Sequence, residues 1–334
     1  MKDGAYTGRS KEGNPYEGDF SKAVAYDTYE ANSVFVMQEG NFPRLINNYR
    51  FGAKRLIDFS SAEAGQRVLD LGSGTGISTL ELFVQKKGIF VFGIEMSEGM
   101  FDIARYKFHQ DDGGRFLSQF EDELLLQYWS DFRKESEQFK DKVKFLQADF
   151  QKIKEFPFES VDSAIGNQFM HWTDLSKSFD QLHKLLKKGG EVIWNSASHF
   201  YDDAEFPAAN FGFRYNDFLA YVLEDVCSKG NLTAADYHSL SKPEYDLGRI
   251  RSITEEQGFE TEQIATYLHK SDFQVFVQNH VYVFVKNLIT SHIDPVELKL
   301  KTKEAITRTM SNPDALKDIQ HKYDIIPVFR SVKK

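Results

Sequence analysis

The first feature of the sequence with a possible chemical role is a glycine-rich turn. It lies between an apolar run and an amphipathic stretch and could bind a small molecule. The turn belongs to the string VLDLGSGTG at positions 68–76. Glycine lets the backbone adopt positive φ and pass close to a bound molecule, where a side chain would clash. The acid in this string could orient a cationic group of that molecule. The residues that we predict to form this binding loop are Asp70, Gly72, Ser73, Gly74 and Gly76.

The spacing of these glycines discriminates between two nucleotide cofactors. A dinucleotide site of the G-x-G-x-x-G type would have its third glycine at position 77, where this chain has Ile77. S-adenosyl-L-methionine (SAM) has no pyrophosphate to place against a helix, so the spacing favours SAM. An NAD-dependent dehydrogenase is the alternative for the loop, and calorimetry with both cofactors would decide between them.

A second acidic residue follows the next apolar strand. The string GIEMSEGM covers positions 93–100 and places Glu95 at the tip of that strand, one strand–turn–helix unit beyond the loop. A carboxylate at this place can accept hydrogen bonds from both ribose hydroxyls. Met96 could lie against the adenine face, and Met100 of the same string is included in the predicted cofactor site. A solvated acid at a strand end is the other interpretation of Glu95.

The elements that must position these residues are short apolar runs that alternate with amphipathic stretches, a pattern typical of a parallel sheet covered by helices. The predicted strands are residues 67–71, 89–94, 143–147, 160–165 and 191–195, and the predicted helices are residues 77–85, 98–107 and 175–187. Residues 108–141 are interpreted as an inserted amphipathic helix. The predicted fold class is α/β, with a Rossmann-like, seven-stranded, mostly parallel sheet that has helices on both faces.

The chain divides into four predicted segments: an N-terminal arm and helical segment (1–60), a SAM-binding core (61–198), an aromatic-rich insertion (199–248) and a part that completes the sheet with additional helices (249–334). The insertion is interpreted either as a lid over the active site or as a cap that only packs against the core. In the last part we expect helices near 250–258 and 295–310, and strands near 259–268 and 325–332.

The composition disfavours several classes of partner. Acidic residues outnumber basic ones by 50 to 41, which argues against binding to a nucleic-acid backbone. The single cysteine, Cys227, excludes an intrachain disulfide framework, and the nine histidines show no metal-ligand spacing. No stretch reaches the roughly 20 apolar residues that cross a bilayer. We expect a cytoplasmic protein that acts on a small molecule, with no metal, membrane or nucleic-acid partner and an oligomeric state that the sequence leaves open.

Five strings of the sequence resemble the class I SAM-dependent methyltransferases, within them the small-molecule group similar to the ubiquinone-biosynthesis and trans-aconitate methyltransferases. They are VLDLGSGTG, GIEMSEGMFDIAR, FLQADFQKI, DSAIGNQFMHW and LKKGGEVIW, and they span roughly residues 65–198. The resemblance implies that Asp149, with Phe150 beside it, hydrogen-bonds the adenine amino group. It also implies that Asn167 and Gln168 line the mouth of the cofactor and substrate site. Capping of a turn is the alternative role for Asp149.

SAM carries an activated methyl group, so the protein needs mainly to hold a nucleophile in line with the S–methyl bond and to exclude water. His171, where the fourth strand opens into the predicted site, is the candidate general base. Trp172 could form a wall of the pocket, although this pair could instead pack under the next helix. Arg50 could meet the cofactor carboxylate or lie on a solvated helix face. The other candidate substrate contacts are His199, Tyr29, Tyr201 and Tyr215, the tyrosines through cation–π contact.

The expected reaction is transfer of the SAM methyl group to an O, N or C atom of a small metabolite, with release of S-adenosylhomocysteine. Two alternatives would use the same predicted SAM site. A SAM lyase, a cyclase or an aminocarboxypropyl-transferring enzyme would release methylthioadenosine, and a non-catalytic SAM-binding protein would release nothing. The adenosyl product, identified by mass, separates all three.

Overall fold

The computed structural model describes residues 20–33, 45–46, 49–114, 116–170, 173–196, 222, 225–226, 247–272, 295–310 and 321–334. Its helices are α1 (Phe20–Ser33), α2 (Tyr49–Ile57), α3 (Ile77–Gln85), α4 (Glu98–Lys107), α5 (Glu123–Ser136), α6 (Leu175–Leu185), α7 (Leu247–Glu256) and α8 (Pro295–Met310). Its strands are β1 (Leu45–Ile46), β2 (Arg67–Leu71), β3 (Phe90–Glu95), β4 (Val143–Gln147), β5 (Val161–Gly166), β6 (Leu186–Asn195), β7 (Phe259–Asp272) and β8 (His321–Lys333).

These strands form one sheet in the order β1-β7-β8-β6-β5-β2-β3-β4. The strand β8 is antiparallel to both of its neighbours, and the other adjacent pairs are parallel. The predicted Rossmann-like, mostly parallel sheet is therefore confirmed. The described sheet has one strand more than the seven predicted, because the two-residue β1 pairs with β7 and is too short to show a periodic pattern.

Apolar side chains pack on both faces of the central strand β2, which is why its sequence is a nearly continuous apolar run. In β2, Val68 packs into the core cluster that contains residues of α2 and α3, whereas Leu69 and Leu71 pack into the cluster that contains residues of α6. Because successive strand residues point to opposite faces, this division places helices on both sides of the sheet, as predicted.

The strand order changes direction between β2 and β5, which is the place where open α/β sheets bind ligands. The chain leaves β2 through the glycine turn at 72–76 toward β3 on one side, and β5 continues toward β6 on the other. Parallel neighbours bring the carboxyl ends of β2, β3, β4, β5 and β6 to one edge of the sheet. The predicted cofactor residues that the structure describes lie in or directly after these strands, at this end of the sheet.

The predicted inserted helix is α5. Its N-cap residue is Asp122, whose carboxylate accepts a hydrogen bond from the backbone N–H of Leu125 (3.1 Å). Its Trp129 packs with Ala23 of α1 and Ile103 of α4 in a third apolar cluster. The predicted lid lies almost wholly outside the described residues. Within the described ranges, no helix is both long enough and apolar enough to cross a membrane.

Candidate functional site

The glycine loop has the backbone that its sequence predicts. Gly72, Gly74 and Gly76 have φ of 62°, 55° and 87°, all in the left-handed region. A Cβ added at Gly72 would lie 2.2 Å from Cδ2 of Phe169, so the ring of Phe169 closes over the α-carbon of this glycine. The loop is therefore shaped both by backbone conformation and by a close neighbour from the turn after β5.

Asp70, at the penultimate position of β2, is fully buried with one carboxylate oxygen unpaired. Its Oδ2 accepts hydrogen bonds from Ser78 Oγ (2.8 Å) and Thr79 Oγ1 (2.6 Å) in the first turn of α3. Its Oδ1 is buried and has no hydrogen-bond partner. Burial raises the pKa of Asp70 to about 6, against the opposing effect of the two hydroxyls. A buried acceptor without a donor costs free energy, so Oδ1 could accept a hydrogen bond from a ligand.

Glu95, the last residue of β3, supports the glycine loop from the neighbouring strand. Its Oε2 accepts from the Gly74 N–H (2.9 Å) and its Oε1 from the Ser97 N–H (2.7 Å). Burial raises the pKa of this carboxyl, these N–H groups lower it, and the charge of Asp70 raises it further. The two acids thus lie within electrostatic range around one loop, as the SAM interpretation requires. Glu95 is 8% exposed, which contradicts the solvated interpretation.

The remaining cofactor residues predicted from the two strings at 68–76 and 93–100 lie in the loop or near it. The backbone N–H of Ser73 donates to the carbonyl of Ile94 (3.1 Å), and the hydroxyl of Ser73 is buried without a partner. Met96 is 46% exposed directly after β3. Met100 is buried, with its sulfur 4.0 Å from the place that a Cβ on Gly74 would occupy, so it packs against the loop.

Asp149 follows β4 and caps a single turn of 3-10 helix. Its Oδ1 accepts from the Gln151 N–H (3.1 Å), and its Oδ2 pairs with Lys152 Nζ (2.7 Å). The turn-capping role is therefore present, and the adenine contact stays a prediction. Phe150 is buried and meets the ring of Phe169 edge-on, with 6.2 Å between centroids.

The turn after β5 is held by a residue that the sequence analysis did not single out. Asn195, the last residue of β6, donates from Nδ2 to Asn167 Oδ1 (3.0 Å) and accepts at Oδ1 from the Gln168 N–H (2.6 Å). Gln168 has a φ of 56°, which is uncommon for a residue with a side chain. The one local signal for Asn195 is a polar residue at the end of the buried run EVIW.

Two further residues change or extend the prediction. Asp27 of α1 is fully buried and accepts a hydrogen bond from Thr75 Oγ1 in the glycine loop (2.6 Å), a link that sequence reasoning missed. Arg50 pairs with Glu81 (Nε–Oε1, 2.5 Å) and Glu135 (Nη2–Oε1, 2.6 Å), rather than facing a cofactor carboxylate or only solvent.

Six further predicted contacts stay predictions, because the structure does not describe their side chains. Tyr29 lies on α1, and its side chain is outside the described part of the chain. The predicted base and the other four predicted substrate contacts also lie outside the described residues, namely His171, Trp172, His199, Tyr201 and Tyr215.

Comparison with known proteins gives matches to methyltransferases. A family model described as a methyltransferase domain matches residues 114–194. Demethylmenaquinone methyltransferase of Thermus thermophilus is 28% identical over 143 residues, which are 42% of this chain and 51% of the relative. The chain thus spans about half the length of this curated relative. The family match and the relative confirm the predicted resemblance to the methyltransferases.

The similarity to solved structures is more distant. The YcgJ protein of Bacillus subtilis is 14% identical, with a TM-score of 0.48, over 85% of this chain and 98% of that one. The cyclase SpnF is 13% identical, with a TM-score of 0.49, over 95% of both chains.

Proposed function

We propose that this chain, which carries a class I SAM-dependent methyltransferase domain, binds SAM at the glycine loop and transfers its methyl group to an O, N or C atom of a small metabolite. One observation carries the proposal: the unpaired Oδ1 of Asp70 and the carboxylate of Glu95 lie at the ends of adjacent strands around one loop. Two buried carboxylates in this arrangement need positive charge and hydrogen-bond donors.

The groups of the site fit those of SAM. The cofactor supplies a sulfonium-activated methyl group when bound, together with an ammonium group and two ribose hydroxyls. Asp70 Oδ1 can accept a hydrogen bond at the cationic end, and the unpartnered hydroxyl of Ser73 can bind a further polar group. Since each carboxylate oxygen has two lone pairs, Glu95 can accept from the ribose while it still holds the loop through Gly74.

The same contacts argue against a dinucleotide. A pyrophosphate would sit at the amino end of α3, where aligned N–H groups favour an anion. In this chain the carboxylate of Asp70 already accepts hydrogen bonds from the hydroxyls of Ser78 and Thr79 in the first turn of α3. An anionic pyrophosphate at this place would therefore be repelled by the buried carboxylates of Asp70 and Glu95. SAM, which has no pyrophosphate, is the better match.

The turn after β5 supports the placement of the acceptor beside the cofactor. Because Asn167 Oδ1 accepts from Asn195, the amide N–H groups of Asn167 are left to donate elsewhere. We expect His171, four residues further on, to remove a proton from the acceptor, and residues 199–248 to select it as a lid. We infer a cytoplasmic setting and a small metabolite as acceptor from the acidic composition and the single cysteine.

Calorimetry with SAM, S-adenosylhomocysteine and NAD tests the first step. We expect the two adenosyl compounds to bind and NAD not to bind; binding of NAD alone would overturn the proposal. Incubation with SAM and a metabolite extract tests the second step. Formation of S-adenosylhomocysteine would support methyl transfer, methylthioadenosine would indicate a lyase, cyclase or aminocarboxypropyl transfer, and unchanged SAM would indicate binding without catalysis.

A further inference from the structure

A fully buried ion pair joins the N-terminal helix to the glycine loop. Asp27 of α1 and Lys107 of α4 are both 0% exposed, and Lys107 Nζ lies 3.0 Å from each oxygen of Asp27. Thr75 Oγ1 donates to Oδ1 of Asp27 (2.6 Å), and Trp129 Nε1 of α5 donates to Oδ2 (2.6 Å). One carboxylate therefore ties two helices and the loop to α1.

Stability alone is a poor reason for such a pair. Removing two charges from water costs several kcal/mol per ion, and well-packed apolar residues of similar volume are often as stable or more so. Burial lowers the pKa of Lys107, and the charge of Asp27 opposes that effect. The pair instead fixes the positions of the surrounding groups, because each oxygen of Asp27 accepts two hydrogen bonds in fixed directions.

The geometry acts on the part of the loop that would touch the cofactor. Thr75 lies between Gly74 and Gly76, two residues with positive φ. Its side chain is 3% exposed and is directed to Asp27, so it does not face solvent. The tip of the loop is thus held at Gly74 by Glu95 and at the next residue by Asp27.

We propose that Asp27 is a positioning residue that acts through Thr75 on the glycine loop, so that the packing of α1 and the affinity for SAM are coupled. This inference rests on the proposed function. Coupling of this kind is reciprocal: if an ordered α1 strengthens binding of the cofactor, the bound cofactor stabilises α1. The N-terminal helix is then part of the cofactor site without touching the cofactor.

Calorimetry with S-adenosylhomocysteine on variants of Thr75 tests the link. Thr75→Val keeps the shape of the side chain and the Asp27–Lys107 pair but removes the hydroxyl. The hydroxyl donates to Asp27 (2.6 Å) and also accepts a longer hydrogen bond from Lys107 Nζ (3.4 Å). We expect binding to weaken about tenfold, which corresponds to the loss of the shorter hydrogen bond to a charged group. Thr75→Ser keeps the hydroxyl and should bind within about twofold of the original chain, given the same hydrogen bond. Thr254→Val makes the same change at a buried threonine of α7 that bonds Arg251 (3.1 Å), and should not change binding.

A double-mutant cycle shows whether Asp27 acts through Thr75. If it does, Asp27→Asn combined with Thr75→Val weakens binding no more than the worse single change. Additive losses would overturn the inference. Asp27→Asn could fail to fold because Lys107 loses its partner. In that case the variant with Asp27→Leu and Lys107→Met, which replaces the ion pair by apolar groups, is used in the cycle instead of Asp27→Asn.

Hydrogen exchange provides a readout that a merely structural role would not move. We expect S-adenosylhomocysteine to slow amide exchange in α1 of the original chain, and we expect Thr75→Val to abolish that slowing at saturating ligand. If the original chain does not bind S-adenosylhomocysteine, the proposed function fails. If it binds, and Thr75→Val binds equally well with equal protection of α1, the proposed function stands and this inference fails.

Discussion

At the scale of single residues, Asp70 combines a stability cost with a proposed binding role. Its Oδ1 is buried without a donor, so Asp70→Asn should weaken SAM binding by about tenfold to a hundredfold, the range for one hydrogen bond to a charged group. Calorimetry at neutral pH measures this loss. Asp162→Asn, the same change at a carboxylate that pairs with Lys187, is the matched control and should bind normally. Equal affinity in both variants would remove Asp70 from the site.

The protonation of Asp70 gives a second prediction at this scale. Its pKa is about 6 in the folded chain and 3.8 as the ordinary value, so its contribution to stability is fully present below 3.8 and is lost as the pH rises through about 6. The loss amounts to about 3 kcal/mol, since each unit corresponds to 1.36 kcal/mol. Urea unfolding between pH 4 and 8 should show this decline in the original chain, relative to Asp70→Asn. Parallel curves would contradict it.

Gly72 tests whether a close neighbour or the backbone restricts the loop. In Gly72→Ala the new methyl group would meet the ring of Phe169 at 2.2 Å, and φ is positive as well. We expect a loss of about 2 to 4 kcal/mol, from overpacking and strain together, measured by urea unfolding. Gly65→Ala, with φ of 86° and nothing within 4 Å, carries the strain alone and should lose less. Phe169→Ala should partly rescue Gly72→Ala; a rescue of Gly65→Ala instead would refute the contact.

At the scale of elements, the turn after β5 depends on the end of β6. Asn195 makes both hydrogen bonds that fix Asn167 and Gln168, and the second of these residues has positive φ. Asn195→Ala should therefore cost about 1 to 3 kcal/mol of stability, as expected when buried partners are lost, and should weaken substrate binding more than SAM binding. Steady-state kinetics and urea unfolding measure the two effects. Gln168→Gly, which removes the φ strain, should partly restore stability but not the kinetics.

These elements also show what the sequence can and cannot predict. The strands β2 and β3 and the glycine loop are predicted well, because apolar periodicity and consecutive glycines are local signals. Asn195 and Asp27 are not, because their roles depend on partners far along the chain: Thr75 is 48 residues from Asp27, and Trp129 is 102. The two-residue β1 is too short to show a pattern, and it is defined only by its pairing with β7 far along the chain. The residues of the loop can be predicted from their spacing in the sequence, whereas the residues that hold the loop in place are recognised only in the folded chain.

At the scale of the whole molecule, cofactor binding and unfolding are linked. A ligand that binds only the folded chain at a hundred times its Kd stabilises it by about 2.7 kcal/mol, which for a chain of this size is a rise in Tm of roughly 4 °C. We expect S-adenosylhomocysteine to produce this rise in the original chain and in Asp162→Asn. It should produce about half of this rise or less in Asp70→Asn or Glu95→Gln at the same ligand concentration, because we expect those changes to weaken binding at least tenfold.

The same thermal scan with NAD discriminates between the two cofactor classes for the entire fold. Because Asp70 and Glu95 place two buried negative charges around the loop, an anionic pyrophosphate should gain nothing there, and the Tm with NAD should equal that of the free chain. A rise with NAD that persists in Asp70→Asn would mean that the helix terminus, and not the carboxylates, determines what binds at the edge of this sheet.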